Sequence, residues 1–234
     1  MRPCTPCRLP ALIASSLAVA LLATAPVLAV TLTQVKNGII RCMNKDFKCT
    51  NLQVTLVPFN DQALTDQGRF EAIKITMDKA EFEGVLMHDL FLKAYDVTVH
   101  LPTLFDRTKL FTTQCKRTDI SATLNESELN EAFKTKDMPI QNFKVKFNNG
   151  KLEVTGNYRL VWGNNLKMIA RLDPKDDGVH LVAEKLWVNG LAIPVGQIKK
   201  VLDRMNPLID IGQLPFKPRV DKIEINADTV SVSG

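Results

Sequence analysis

The chain has 234 residues, 45% of them hydrophobic and 24% charged, with a net charge of +5. That balance is globular, too apolar for a disordered chain and too evenly charged for an integral membrane protein. Basic residues are interspersed with acids and form no block, which gives no support to a nucleic-acid partner.

The first segment reads as a secretory signal. Arg2 and Arg8 supply the positive start, Leu9 to Leu28 the apolar run, and Val27-Leu28-Ala29 the small-residue cleavage pattern. We place the signal at residues 1–29 and one folded domain at residues 30–234. A cut after Ala25 would leave Pro26 beside the scissile bond. The rival reading, an uncleaved anchor, is weakened by Pro10, Ser15, Ser16 and Pro26. Either reading puts the remaining chain outside the cytoplasm, in a periplasm or cell envelope. Cys42, Cys49 and Cys115 remain beyond the signal. Export permits a disulfide, and a Cys42–Cys49 bridge would close a short loop around Asn44-Lys45-Asp46.

Past the signal, Leu32, Val35, Ile39 and Ile40 are spaced for a short amphipathic helix over 32–44. Strands follow, in which Leu52, Val54 and Leu56, then Ile73, Ile75 and Met77, then Tyr95, Val97, Val99 and Leu101 alternate with polar residues. Period-two alternation predicts antiparallel strands with one buried face. Asn125 and Glu128 form a variant capping box that opens a short helix, with Leu129, Ala132 and Phe133 on one face, ending near Lys136.

A hairpin comes next. Phe143, Val145 and Phe147 face one way, Lys144 and Lys146 the other, and Asn148-Asn149-Gly150 turns the chain. Leu152, Val154, Tyr158, Leu160 and Trp162 keep one parity, with Gly156 marking a bend or bulge. The chain turns at Gly163-Asn164-Asn165, returns through Leu166, Met168, Ala170 and Leu172, and turns again over Asp173 to Gly178. A further strand through Val179, Leu181 and Ala183 changes phase near Glu184-Lys185. A second helix begins after Pro194. Val195, Ile198, Val201, Leu202 and Met205 occupy an arc of about 120° at 100° per residue, and Asn206-Pro207 ends it. Ile223–Ile225 and Val230–Val232 are the closing strands. The fold class is α+β, a long curved antiparallel sheet wrapped around amphipathic helices.

Catalytic chemistry has little to build on. Histidine occurs only at 88, 100 and 180. His100 and His180 read as solvent-facing strand residues and His88 as part of a turn. No nucleophile elbow, zinc-protease motif or phosphate loop is present. The paired acids Glu126/Glu128 and Asp176/Asp177 suit a helix start and a turn. We expect no cofactor, no metal and no catalytic residue. The candidate lipid-contacting residues are Leu129 and Phe133 on the first of these two helices, Trp162 and Trp187 near strand ends, and Val195, Ile198, Val201, Leu202 and Met205 on the second. Each has a plain alternative. The helix stripes also suit helix-on-sheet packing, and the tryptophans also suit a core edge. Lys144, Lys146, Lys151, Lys167 and Arg171 face outward, either toward solvent or toward anionic headgroups at a transient membrane contact.

Several stretches taken together resemble the LmeA-like phospholipid-binding family. Leu124-Asn125-Glu126-Ser127-Glu128-Leu129-Asn130 resembles its helix start, L-T-E-x-D/E-L-N. Leu186 to Pro194 resembles its strand, N-G turn and lead-in to the second helix. Gly212-Gln213-Leu214-Pro215-Phe216 resembles its L-P-F turn, and Phe82 to Leu101 its strand pair. The resemblance covers roughly residues 50–234. It implies a bacterial envelope protein with a fold similar to tubular lipid-binding domains, a curled half-barrel around a helix. It also implies a phospholipid or similar amphiphile as partner and no catalytic residue. The rival expectation is a structural module of envelope assembly with a solid core.

Overall fold

Alternation of apolar and polar residues builds most of the molecule, because each strand that buries one face leaves the other wet. The computed structural model describes residues 30–60, 68–135, 139–148, 150–158 and 164–234. The expected signal at 1–29, Leu160, Trp162, Gly163 and the helix end at Lys136 lie outside these residues.

In chain order the elements are α1 (Leu32–Asp46), β1 (Lys48–Thr50), β2 (Gln53–Pro58), β3 (Arg69–Phe82), β4 (Val85–Val99), α2 (Leu101–Asp106), β5 (Thr112–Asn125), α3 (Glu126–Thr135), β6 (Gln141–Asn148) and β7 (Lys151–Tyr158). Then come β8 (Asn164–Lys175), β9 (Gly178–Val188), β10 (Leu191–Ile193), a 3₁₀ turn (Val195–Ile198), α4 (Lys199–Met205), β11 (Ile209–Asp210), β12 (Lys222–Ile225) and β13 (Thr229–Ser233). The fold is α+β with antiparallel pairing throughout. The strands divide between two sheets where one was expected. The first runs β1-β3-β4-β5-β13-β12, with β2 also on β3. The second runs β10-β9-β8-β7-β6, with β11 also on β9.

Helix α1 starts at a full capping box. The Gln34 N–H donates to Thr31 Oγ1 (3.2 Å) and the Thr31 N–H donates to Gln34 Oε1 (2.8 Å). Its stripe of Val35, Ile39, Cys42 and Met43 is fully buried. The inner faces of both sheets and the buried sides of α1, α3 and α4 feed one apolar cluster. Helix α3 touches β4 and β5 of the first sheet and β6 of the second, and so bridges them.

Local details depart from simple alternation. Tyr95 faces outward, because Asp96 takes φ +44° and reverses the parity of burial between Ala94 and Val97 while the β3–β4 register stays the same. Its ring lies under Lys93 (4.5 Å) and Arg117 (4.3 Å), and its hydroxyl donates to Asp119 (3.0 Å). Leu101 begins α2 instead of extending β4. Gly156 sits in unbroken register with Leu166, and the irregularity lies on the neighbouring strand, between Gln141 and Lys144. A Cβ at Gly156 would stand 2.4 Å from Ile140 Cγ2, so the glycine permits a close approach. Pro174, expected in a turn, is inside β8 opposite Val179. The phase change near Glu184 is present as a bulge, with Ile169 paired to Lys185 and Ala170 to Ala183.

The two flanks of the second sheet are closed by asparagines. On β6, Asn130 Oδ1 accepts from the Val145 N–H and its Nδ2 donates to the Val145 carbonyl, both at 2.7 Å. Glu126 Oε2 accepts from the Phe147 N–H (2.6 Å). On β9, β10 covers residues 186–188 and β11 covers 178–179. Between them Asn206 Oδ1 accepts from the Leu181 N–H (2.8 Å), and Nδ2 donates to its carbonyl (3.0 Å).

Candidate functional site

The outer face of the second sheet carries a row of aligned side chains. Lys144 stands opposite Thr155, Thr155 opposite Lys167, Lys167 opposite Trp187, and Trp187 opposite Ala192. The adjacent row runs Lys146, Glu153, Ile169, Lys185. Along these rows lies an open trough of about 800 Å³, with Trp187, Ile169 and Leu166 as apolar lining and Lys144, Lys167 and Thr155 as polar lining. The β6 irregularity beside Asn142 (φ +53°) and the Glu184 bulge lie on the strands that carry it. Bulges bend a sheet and raise its twist.

The charges of this face are unbalanced. Lys167 pairs with Glu153 at 2.9 Å, whereas Lys144, Lys146 and Lys185 form no ion pair among the described residues. Beyond the bulge, Lys151 pairs with Glu184, and this contact holds the Glu184 carboxyl below the ordinary glutamate range. An apolar trough with uncompensated ammonium groups suits a ligand that has both an apolar body and an anionic head.

Among the described residues, the apolar cavity between the two sheets is small. An apolar cavity of about 20 Å³ lies among Leu124, Leu129, Leu172, Val179, Leu208 and Val230. That is room for about one water molecule, so an acyl chain enters only if the seam opens.

A model of the LmeA-like phospholipid-binding family matches residues 43–234. The chain belongs to that family. No curated protein and no solved structure matched the chain. The family is defined by lipid binding and not by a catalysed reaction. The match reaches back into α1, so the LmeA-like portion includes Cys49 and β1, beyond the start near residue 50 that the motifs suggested.

Within this LmeA-like chain the expected site residues that the structure describes fall in four places. Trp187 lines the trough. Leu129 lines the seam cavity. Phe133, Ile198, Val201, Leu202 and Met205 are buried in the core, with Phe133 edge-on to Phe143 at 5.0 Å. Val195 stands apart, 38% exposed, because it opens a 3₁₀ turn instead of an α-helix. Trp162 lies outside the described residues.

The cysteine expectation is corrected. Cys42, Cys49 and Cys115 are free thiols. Cys42 points into the core from α1, while Cys49 on β1 donates to Asn44 Oδ1 at 3.4 Å. Burial raises the pKa of both Cys42 and Cys49, so neither is an activated thiolate.

The histidine readings are corrected in part: His100 is exposed as expected, but in a helix cap and not a strand. His88 lies within β4, and its Nε2 meets Glu128 Oε2 at 2.6 Å, with Asn125 Nδ2 donating to the same oxygen at 2.9 Å. The pair expected as a capping box thus joins α3 to the first sheet. His100 caps α2, its Nδ1 accepting from the Thr103 N–H at 3.3 Å. His180 is mostly enclosed and meets Asp177 at 2.8 Å; its hydrogen bond lowers the Asp177 pKa. Among the described residues no three or more histidine, cysteine or acidic side chains gather to hold a metal. No described helix is long and apolar enough to cross a membrane.

Proposed function

We propose that this protein is exported by its N-terminal segment, residues 1–29, into the periplasm or cell envelope. There it holds a phospholipid or similar amphiphile in the outer trough of the second sheet, without catalysing a reaction on it. In this reading the curled sheet plays the part of a half-barrel wall. The observation that carries the proposal is the trough itself, with Trp187 and Ile169 beside Lys144, which forms no ion pair among the described residues, and Lys167, which Glu153 neutralises. Each acyl methylene removed from water contributes about 0.8 kcal/mol. Ten of them supply roughly 8 kcal/mol before ordering costs, the scale of micromolar binding. The headgroup then needs only positioning by charge.

The test is lipid extraction and mass spectrometry of natively purified protein, followed by titration of delipidated protein with a phospholipid. Trp162→Phe leaves Trp187 as the sole tryptophan and fluorescence reporter. We expect co-purified phospholipid and a saturable change in Trp187 emission. Delipidated protein that takes up no acyl-chain probe would sink the proposal. A second reading, a structural module of envelope assembly, is favoured by the nearly filled seam between the sheets. It predicts no bound lipid and a protein partner in pull-down from the envelope.

A further inference from the structure

Exposed apolar side chains gather at one edge of the second sheet. Leu191 is 72% exposed and Val195 38%, and Ala192 and Pro194 between them are exposed as well. Single exposed apolar residues are ordinary on any surface, whereas a contiguous run marks a contact. Nothing in the fold calls for a leucine at this point, since β10 is held to β9 by its backbone and Leu191 is not part of the core.

The run is continuous with the trough. Gly190, the residue before it, lines the trough, as does Trp187, which pairs with Ala192. Cations flank it. Lys185 lies two residues before Trp187, and Lys200 follows the 3₁₀ turn; both are exposed, and neither forms an ion pair among the described residues. Lys144 and Lys146 add to the same excess on the outer face. A second copy or a peptide adding as a strand is disfavoured, because β10 is three residues long and Pro194 then removes a backbone donor. Apolar side chains beside unneutralised ammonium groups fit the interfacial zone of a bilayer, where leucine enters the acyl boundary and lysine meets phosphate.

We infer that the Leu191–Val195 edge is the surface on which the protein rests on an anionic phospholipid bilayer, bringing the trough to the membrane. The purpose assigned to the contact rests on the trough as lipid seat, but the contact is tested separately.

The chain from residue 30 onward, which contains every strand of both sheets, is sedimented with vesicles of phosphatidylcholine, with and without phosphatidylglycerol. We expect binding only to the phosphatidylglycerol vesicles and its loss at high salt. Leu191→Asp should weaken it about tenfold, the order set by withdrawing one leucine from the apolar phase. Lys185→Glu should weaken it by a smaller factor. Uptake of monomeric dihexanoyl phosphatidylglycerol, followed by Trp187 emission, should be unchanged in Leu191→Asp. Equal vesicle binding by wild type and Leu191→Asp overturns the inference, as does binding indifferent to anionic lipid. A variant that alters only self-association in analytical ultracentrifugation also overturns it and makes the edge a protein contact. Vesicle binding that depends on Leu191 without any short-chain lipid uptake upholds the docking edge and overturns the trough as lipid seat.

Discussion

The seam cavity and the outer trough both have apolar lining, wholly in the first and partly in the second, and they behave oppositely. In the seam between the sheets, leucines and valines from both sides meet and leave about 20 Å³. On the outer face of the second sheet, Trp187 and Ile169 have no opposing layer among the described residues, and about 800 Å³ stays open. An apolar face becomes core when a second face covers it and becomes a binding surface when none does. The candidate lipid contacts on α3 and α4 belong to the first case and Trp187 to the second.

Substitutions separate the two spaces. The largest effect belongs to Leu152→Ala on the inner face, where the side chain is fully buried. It should cost about 2–5 kcal/mol in chemical denaturation and leave lipid affinity per folded molecule unchanged. Gly156→Ala tests the border between the spaces. Its Cβ would meet Ile140 and the Gln141 carbonyl at 2.4 and 3.0 Å, costing about 1–3 kcal/mol through overpacking and shifting the trough floor as well. Trp187→Ala should reverse the pattern. Stability falls by about 1 kcal/mol or less, as for a partly exposed side chain, while affinity for an acyl-chain probe drops roughly tenfold. Equal losses of stability and affinity at Leu152 and Trp187 would erase the distinction.

The smallest effect is electrostatic. Glu184 has its pKa lowered by Lys151. Its contribution is therefore present above the ordinary glutamate pKa of about 4.3 and fades as pH falls through the depressed value. Glu184→Gln should flatten that part of the acid limb of a stability–pH curve without changing lipid uptake near neutrality.

Much of this was legible in the sequence wherever the controlling interaction is local. Period-two alternation located β3, β6, β7 and β8, the Asn-Gly pair located the β6–β7 turn, and a shift of parity at Glu184 located its bulge. The outward direction of Lys144 and Lys146 followed from the same parity. What escaped depends on partners distant in the chain. His88 and Glu128 are forty positions apart, and nothing near either residue announces the other. The division into two sheets is decided by which strand edges meet. Tyr95 turns outward because one residue, Asp96, adopts a left-handed conformation that alternation does not encode. The helix stripes were correctly apolar, but a hydrophobic pattern states that a face is covered and not whether protein or lipid covers it.

The asparagine clamps of the second sheet have a consequence for life at high concentration. Unpaired strand edges recruit further strands and lead to aggregates. At Val145 and at Leu181 both backbone groups that would greet an incoming strand are already taken by Asn130 and Asn206. A protein that leaves one greasy surface open can accumulate without polymerising only if its sheet margins are sealed. Here two amide side chains share that task with Glu126, β10 and β11, so loss of either amide should appear first as turbidity and only later as unfolding.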